Sequence, residues 1–451
     1  MSKNILTNTE LVNKINKVNP QNALDVLRKV MLIDGFEIVL DLEKSHGLTI
    51  IDAKTNDEYL DFYSFFASAP LGMNHPKLNT KEFREELTLA AMNKPSNSDI
   101  YTVEMAKFVD TLCRLAKPEY FKHLFFVEGG TLAVENGLKA AFDWKVKKNF
   151  MKGYKEEKGQ QVIHFRQAFH GRSGYTLSLT NTDPIKTAHY PKFNWPRITN
   201  PKIIFPLEEN LDKIIQLENQ AINEIYSAIK NNQDDIAAII IEPIQGEGGD
   251  NFFRKEFFLK LREIADEHDI MLMFDEVQTG VGLTGKMWAH EYFVQPDIMS
   301  FGKKVQVCGI MVSNRIDEVE DNVLRVSGRI NSTWGGNLTD MVRARKYLEV
   351  IVEDNLIENA RIVGQYLLEK LLEVQKDFPH LVSQARGLGL MCAFDMPTPE
   401  IRKRFLTKLF ENKMLMLGCG VSTVRFRPPL IITKDDVDKG IEIIRRTLRS
   451  I

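Results

Sequence analysis

Between residues 120 and 303 the chain keeps returning to short apolar runs: HLFFV, QVIHF, IAAIIIEPI, IMLMFDEV and PDIMSFG. They are too short for helices and lack the polar alternation of a half-exposed strand, so they suit strands buried on both faces. Between them stand amphipathic segments such as TLAVENGLKAAFDWKVKK, with apolar Leu132, Val134, Leu138, Ala141 and Trp144 near helical spacing. This alternation predicts an α/β domain in which helices cover both faces of a mostly parallel sheet. Ligands in that architecture sit beyond the carboxyl ends of the strands.

From about residue 340 the texture changes. A long helical pattern, LTDMVRARKYLEVIVEDNLIENARIVGQYLLEKLLEVQKDF, is followed by the strand-like GLMCAFDM and TVRFRPPLIIT. The division expected is an N-terminal segment 1–70 packing with a smaller domain, a large cofactor-binding domain 71–338, and the small α+β domain 339–451. The strand-like LTIIDAKTNDEYLDFYS belongs to the first of these.

Lys plus Arg (59) nearly balance Asp plus Glu (61), so the net charge of -2 gives no electrostatic case for nucleic acid or an anionic membrane. Cys113, Cys308, Cys392 and Cys419 are scattered, with neither a C-x-x-C pair nor a metal-ligand pattern. The first residues contain no apolar signal core, and no stretch approaches the ~18 apolar residues of a membrane span. A cytoplasmic enzyme is expected, with small molecules or a second copy as partners. GVGLTG (Gly280, Gly282, Gly285) matches a dinucleotide-binding pattern, which keeps a nicotinamide-dependent amino acid dehydrogenase as an alternative. Its context is wrong, because DEVQ separates it from the strand and would aim Asp275 and Glu276 at a pyrophosphate.

The polar residues that end the apolar runs fit one cofactor. HLFFV leads through EGGT into a helix, so Gly130, Thr131 and the exposed helix amides suit a phosphate. Asp275 ends IMLMF, where a buried carboxylate is costly unless a cation answers it. A protonated pyridine nitrogen is such a cation. Pyridoxal phosphate brings that ring, a phosphate, and an aldehyde that demands a lysine. Lys303 follows DIMSFG on the same rim, while its neighbour Lys304 should point elsewhere. Desolvation and nearby cations would keep the Lys303 amine partly neutral.

These residues, with AFHGRSGYTLSLTNT, IIIEPIQGEGG, RINSTWGGNLTDM, RGLGLMCAF and TVRFRPPLIIT, resemble the class III pyridoxal-phosphate-dependent aminotransferases of fold type I, in order along nearly the whole chain. The resemblance implies Lys303 as the Schiff-base lysine and proton carrier, Asp275 as the partner of the ring nitrogen, Gln278 near the ring hydroxyl, and Phe169 stacked on the ring. It implies a phosphate loop at Gly130 and Thr131, and a Thr333 that reaches the phosphate of a neighbouring subunit, hence a homodimer with shared sites. For substrates it implies Arg425 on the α-carboxylate of 2-oxoglutarate and Glu247 as a switch that neutralises Arg425 when the donor brings no carboxylate there. Arg172 would hold the far α-carboxylate of L-lysine. The expected reaction moves the ε-amino group of L-lysine to 2-oxoglutarate, giving 2-aminoadipate 6-semialdehyde and L-glutamate. Ornithine, 4-aminobutyrate or diamine aminotransferases share nearly all the cofactor residues and stand as the alternative within the class.

Overall fold

The computed structural model describes residues 17–451. In chain order its strands are β1 (Thr49–Ile51), β2 (Glu58–Asp61), β3 (Phe121–Val127), β4 (Gln161–Phe165), β5 (Arg197–Ile198), β6 (Ile236–Ile241) and β7 (Met271–Asp275). There follow β8 (Ile298–Phe301), β9 (Cys308–Ser313), β10 (Ser383–Leu388), β11 (Met391–Asp395), β12 (Met414–Leu415), β13 (Leu417–Cys419) and β14 (Thr423–Phe426). The apolar runs of the sequence become β3, β4, β6, β7 and β8 of a seven-stranded sheet ordered β3-β9-β8-β7-β6-β4-β5. Only β9 runs antiparallel to its neighbours. A short turn joins it to β8, and a turn of that length can reverse the chain but cannot carry a parallel crossover.

The period of two along the strands decides what each face meets. Ala238 and Ile240 of β6 and Met271 and Met273 of β7 pack with Val134, Leu138 and Trp144 of the helix Gly130–Met151. Ile239, Ile241, Leu272 and Phe274 face the other way, onto Ile225, Phe257, Phe258 and Leu261 of the helices Leu207–Asn231 and Lys255–Glu267. All are buried, and each large side chain contributes about 1.5–3 kcal/mol of hydrophobic stabilisation. Asp275 continues the odd-numbered series, so its carboxylate emerges on the side of the helix that begins at Gly130. That helix lies close to the sheet because Gly137 has no side chain; a Cβ there would stand 2.5 Å from Met273 Cε.

The C-terminal part is α+β. Its four-stranded antiparallel sheet, ordered β10-β11-β14-β13, is accompanied by the helices Leu356–Asp377, Pro399–Glu411 and Lys434–Leu448. The long helical pattern after 338 is two helices, Leu338–Glu353 and Leu356–Asp377, divided where Asn355 turns left-handed at φ 52°. The N-terminal strand pattern is a hairpin of β1 and β2, and β2 pairs in parallel with β12.

Directly after β2, Ser64, Phe65, Phe66 and Ala67 form a left-handed turn with φ of 39°, 51°, 60° and 63°. Left-handed residues cost roughly 1–2 kcal/mol each, so the turn must be held from outside. Asp61 Oδ1 accepts from the amides of Tyr63 and Ser64, both at 2.8 Å. Ser64 Oγ donates to the Arg427 carbonyl at 2.6 Å, and Lys304 Nζ donates to the Ala67 carbonyl at 3.4 Å. Burial pushes the Asp61 carboxyl up to about 6 despite those two amides.

Candidate active site

The carboxyl ends of β3, β4, β6, β7 and β8 open on one side of the sheet, where most of the expected site residues lie. Asp275 is buried beside β8, in register with Ser300. Its Oδ1 accepts from Ser300 Oγ at 3.2 Å and from the Val277 amide at 3.1 Å. Its Oδ2 lies 2.9 Å from Nδ1 of the buried His170, while His170 Nε2 has no hydrogen-bond partner. The carboxylate is therefore fixed in orientation. Close by, Glu242 directly follows β6; it accepts from the Phe169 amide at 3.0 Å and the Gly246 amide at 2.9 Å. Burial pushes Glu242 up to about 7, against the pull of His170, and the Asp275 charge adds to the rise.

Lys303 follows β8 with φ 48° in a single 3-10 turn, Lys303–Val305, and its amine makes no hydrogen bond among the described residues. Burial, then the Arg425 and Arg427 cations, lower its pKa to about 8; Asp275 and Glu247 oppose them. The neighbouring lysine differs. Lys304 is buried and donates to the Gln278 carbonyl at 2.7 Å as well as to Ala67, so it is a strut beneath the site. The sequence pair KK thus separates into one open amine and one sealed amine, as strand-end alternation predicts.

The helix Gly130–Met151 starts on Gly129, which has no side chain to cap it, so the first amides stay open to an anion. Thr131 sits there against the loop that carries Arg172. Gly171, at φ 126°, is the contact: a Cβ on it would come within 2.3 Å of Thr131 Oγ1. That close approach brings the phosphate-type loop and the exposed Arg172 to one rim. Arg172 has no ion-pair partner among the described residues.

Gln278 is oriented by Arg427. An arginine only donates, so the atom facing it is the amide oxygen: Arg427 Nε and Nη2 donate to Gln278 Oε1 at 3.2 and 2.8 Å. The amide NH2 is left to the cleft. Arg427 is itself held by the buried Asp250, whose Oδ2 accepts from its Nη1 at 2.9 Å.

Arg425 lies in β14 and Arg427 one residue beyond its end; both are buried, at 3% and 2% exposure, which excludes the role of surface cations. Arg425 Nη1 lies 3.0 Å from Glu247 Oε2, without hydrogen-bond alignment, and its guanidinium stacks 5.6 Å from the Phe66 ring. No other polar partner meets this buried fork among the described residues. Glu247 also accepts at Oε1 from Lys186 Nζ, 2.6 Å away. Burial alone would raise Glu247, but the two cations outweigh it and hold it below the usual carboxylate range. Thr333 is exposed on a segment tied to residues 96–98, with Ser96 Oγ donating to its carbonyl at 2.6 Å; its hydroxyl has no partner among the described residues.

Sequence reasoning missed His170, Glu242, Arg427's hold on Gln278, and Lys186. Glu242 was open to the rule that found Asp275, since it is a carboxylate directly after a buried strand. Lys186, in the short 3-10 segment Pro184–Lys186, carries no local signal. The glycines of GVGLTG open no helix: Gly280 abuts Trp288, Gly282 abuts Leu430 and Ile357, and Gly285 abuts Arg361. They are packing positions, and the dinucleotide pattern has no counterpart in the fold.

An uncapped helix start, an unpartnered lysine amine and a buried, oriented carboxylate on one rim fit a phosphate, an aldehyde and a pyridinium nitrogen respectively. This fold and donor set define a pyridoxal-phosphate enzyme of the aminotransferase type. Residues 34–448 match the family model for class-III aminotransferases, and the chain belongs to that family. It is 52% identical over 431 residues to the L-lysine-epsilon aminotransferase of Mycobacterium tuberculosis, covering 95% of this chain and 96% of that protein. A solved structure of the lysine aminotransferase from M. tuberculosis in the internal aldimine form superimposes with a TM-score of 0.94 at 52% identity, over 96% of this chain and 100% of that one. The human mitochondrial 4-aminobutyrate aminotransferase is 31% identical over 440 residues, covering 90% of this chain and 85% of that protein.

Proposed function

We propose that this aminotransferase takes the ε-amino group of L-lysine and delivers it to 2-oxoglutarate, releasing 2-aminoadipate 6-semialdehyde and L-glutamate, as a homodimer with shared sites. The observation that carries the acceptor half is Arg425: a buried, planar donor fork whose only carboxylate partner among the described residues is the Glu247 side chain. Such a fork suits the carboxylate of a keto acid. The donor half rests on Arg172, an exposed cation with no ion-pair partner among the described residues, and on the greater likeness to lysine than to 4-aminobutyrate aminotransferases.

Pyridoxal phosphate, when bound, supplies an aldehyde to receive the amine and a ring that stabilises negative charge on the carbon losing its proton. The chain provides the rest. Gly130, Thr131 and the helix amides would hold the phosphate, and Thr333 of one subunit would reach the phosphate of the other. Asp275, held in orientation by Ser300, Val277 and His170, would face the ring nitrogen. Gln278 would offer its NH2 to the ring hydroxyl, because Arg427 occupies its oxygen. Lys303 Nζ, whose pKa burial lowers to about 8, would accept the proton from the ε-carbon of lysine. While lysine reacts, Glu247 neutralises Arg425; when 2-oxoglutarate arrives, its α-carboxylate takes Glu247's place. Thr333, Arg172 and Gln278 hold these roles by likeness and position.

A donor panel tests the proposal. With 2-oxoglutarate fixed, lysine should exceed ornithine, 4-aminobutyrate and putrescine in kcat/KM, with glutamate accumulating in equal amount. A higher value for any of the other three would refute it.

A further inference from the structure

Glu247 stands between two cations, and only one of them belongs to the acceptor exchange described above. Arg425 must give up Glu247 to receive a keto acid. A carboxylate released in a site only a quarter exposed would then lack a charge partner, which is costly. Lys186 removes that difficulty. Its Nζ already contacts Glu247 Oε1 at 2.6 Å, on the carboxylate oxygen that Arg425 does not use. The lysine is held in place independently, donating to Thr182 Oγ1 at 3.3 Å and lying 5.4 Å over the Phe169 ring. It sits in the Pro184–Lys186 turn, whose Ile185 amide donates to Asp183 Oδ1 at 3.0 Å. The Glu247 backbone is fixed as well, its carbonyl accepting from the Gly420 amide at 2.9 Å. The carboxylate can therefore turn about its own side-chain bonds, from shared contact to Lys186 alone, without moving the loop.

We propose that Lys186 is a positioning residue for the acceptor half-reaction: it keeps Glu247 when Arg425 releases it, and so sets the affinity for dicarboxylate keto acids. The inference rests on the functional reading above. The first cation on a carboxylate stabilises it more than the second, because the second meets a charge already neutralised. Lys186 is thus the second cation while lysine reacts and the sole cation once 2-oxoglutarate is bound. Its removal must weigh more heavily on the acceptor.

The test uses the cofactor-loaded enzyme and the variants Lys186→Met and Lys186→Arg. Glutarate, a dicarboxylate that cannot react, reports acceptor-site affinity by titration calorimetry, and single-turnover rates report each half-reaction. Lys186→Met should weaken glutarate binding and raise the half-saturating concentration of 2-oxoglutarate roughly tenfold, the scale of one charge-assisted contact. The limiting rate and the lysine half-reaction should shift by less, and Lys186→Arg should recover most of the affinity. In a Glu247→Ala background the Met substitution should no longer weaken glutarate binding. Equal effects on lysine and 2-oxoglutarate, or an undiminished effect without Glu247, would overturn the role of Lys186. A wild type inactive with lysine and 2-oxoglutarate would instead refute the functional reading, and the role of Lys186 with it.

Discussion

Replacing Glu247 by alanine strips Arg425 of the carboxylate it pairs with. The pair is close, 3.0 Å, with Arg425 at 3% and Glu247 at 25% exposure. At an effective dielectric near 20, two unit charges at that distance attract by about 5 kcal/mol. Desolvation of both groups offsets much of this, leaving about 1.5–3 kcal/mol for a charge-assisted contact of this kind. In the variant, lysine must react beside a buried arginine with nothing to neutralise it, so its half-reaction should slow by roughly ten- to a hundredfold. Glutamate brings its own α-carboxylate to Arg425 and no longer has to displace a side chain, so that loss does not apply to it. The lysine-to-glutamate ratio of kcat/KM should therefore fall by about tenfold or more. Stopped-flow records of the cofactor's visible absorption, in single turnovers with each donor, measure the ratio directly. Equal losses for both donors, or an unchanged lysine rate, would refute the neutralising role of Glu247.

Lys303→Met should abolish turnover and the visible absorption that distinguishes lysine-bound cofactor; retention of both would exclude Lys303 as the attachment point. The same variant tests the depressed pKa. Between about 8 and the ordinary value of 10.5 the unfolded chain holds a proton that folded Lys303 has lost, so its destabilising effect is full below pH 8 and fades as pH rises toward 10.5. Cofactor-free wild type should gain stability relative to Lys303→Met across that window in urea unfolding, and parallel pH curves would contradict the shift. Arg172→Ala should lower kcat/KM for lysine by roughly tenfold or more, as for loss of one charge-assisted contact, while cadaverine, which lacks the carboxylate, should barely respond. Parallel losses would show that Arg172 does not bind the α-carboxylate.

The fold was legible because buried parallel strands advertise themselves as apolar runs, and their polar last residues mark the rim. Asp275, Lys303 and the Gly130 helix start were readable on those terms. Arg425 and Arg427 were ambiguous, because a strand arginine beside a proline turn looks the same whether it faces solvent or a cleft; the opposing Asp250, Gln278 and Glu247 settle the matter in three dimensions. His170 was hidden beside Phe169, and Lys186 lies 61 residues from Glu247 with nothing between them to announce the contact. The break at Asn355 escaped a periodicity argument because its flanking helices keep the same apolar spacing.

The left-handed turn at Ser64–Ala67 also bears on how this enzyme could be redesigned. Its conformation is imposed through main-chain atoms and by Asp61, Ser64 and Lys304, none of which presents a ring toward Arg425. Of the aromatic side chains it displays, Phe65 packs with Tyr63 into the cluster around Ile50 and Tyr59, whereas Phe66 is half exposed and lies beside Arg425. A library that varies Phe66 can reshape the surroundings of the arginine while keeping the backbone that carries it, whereas one that varies Asp61, Ser64, Phe65 or Lys304 would discard that backbone along with the variants.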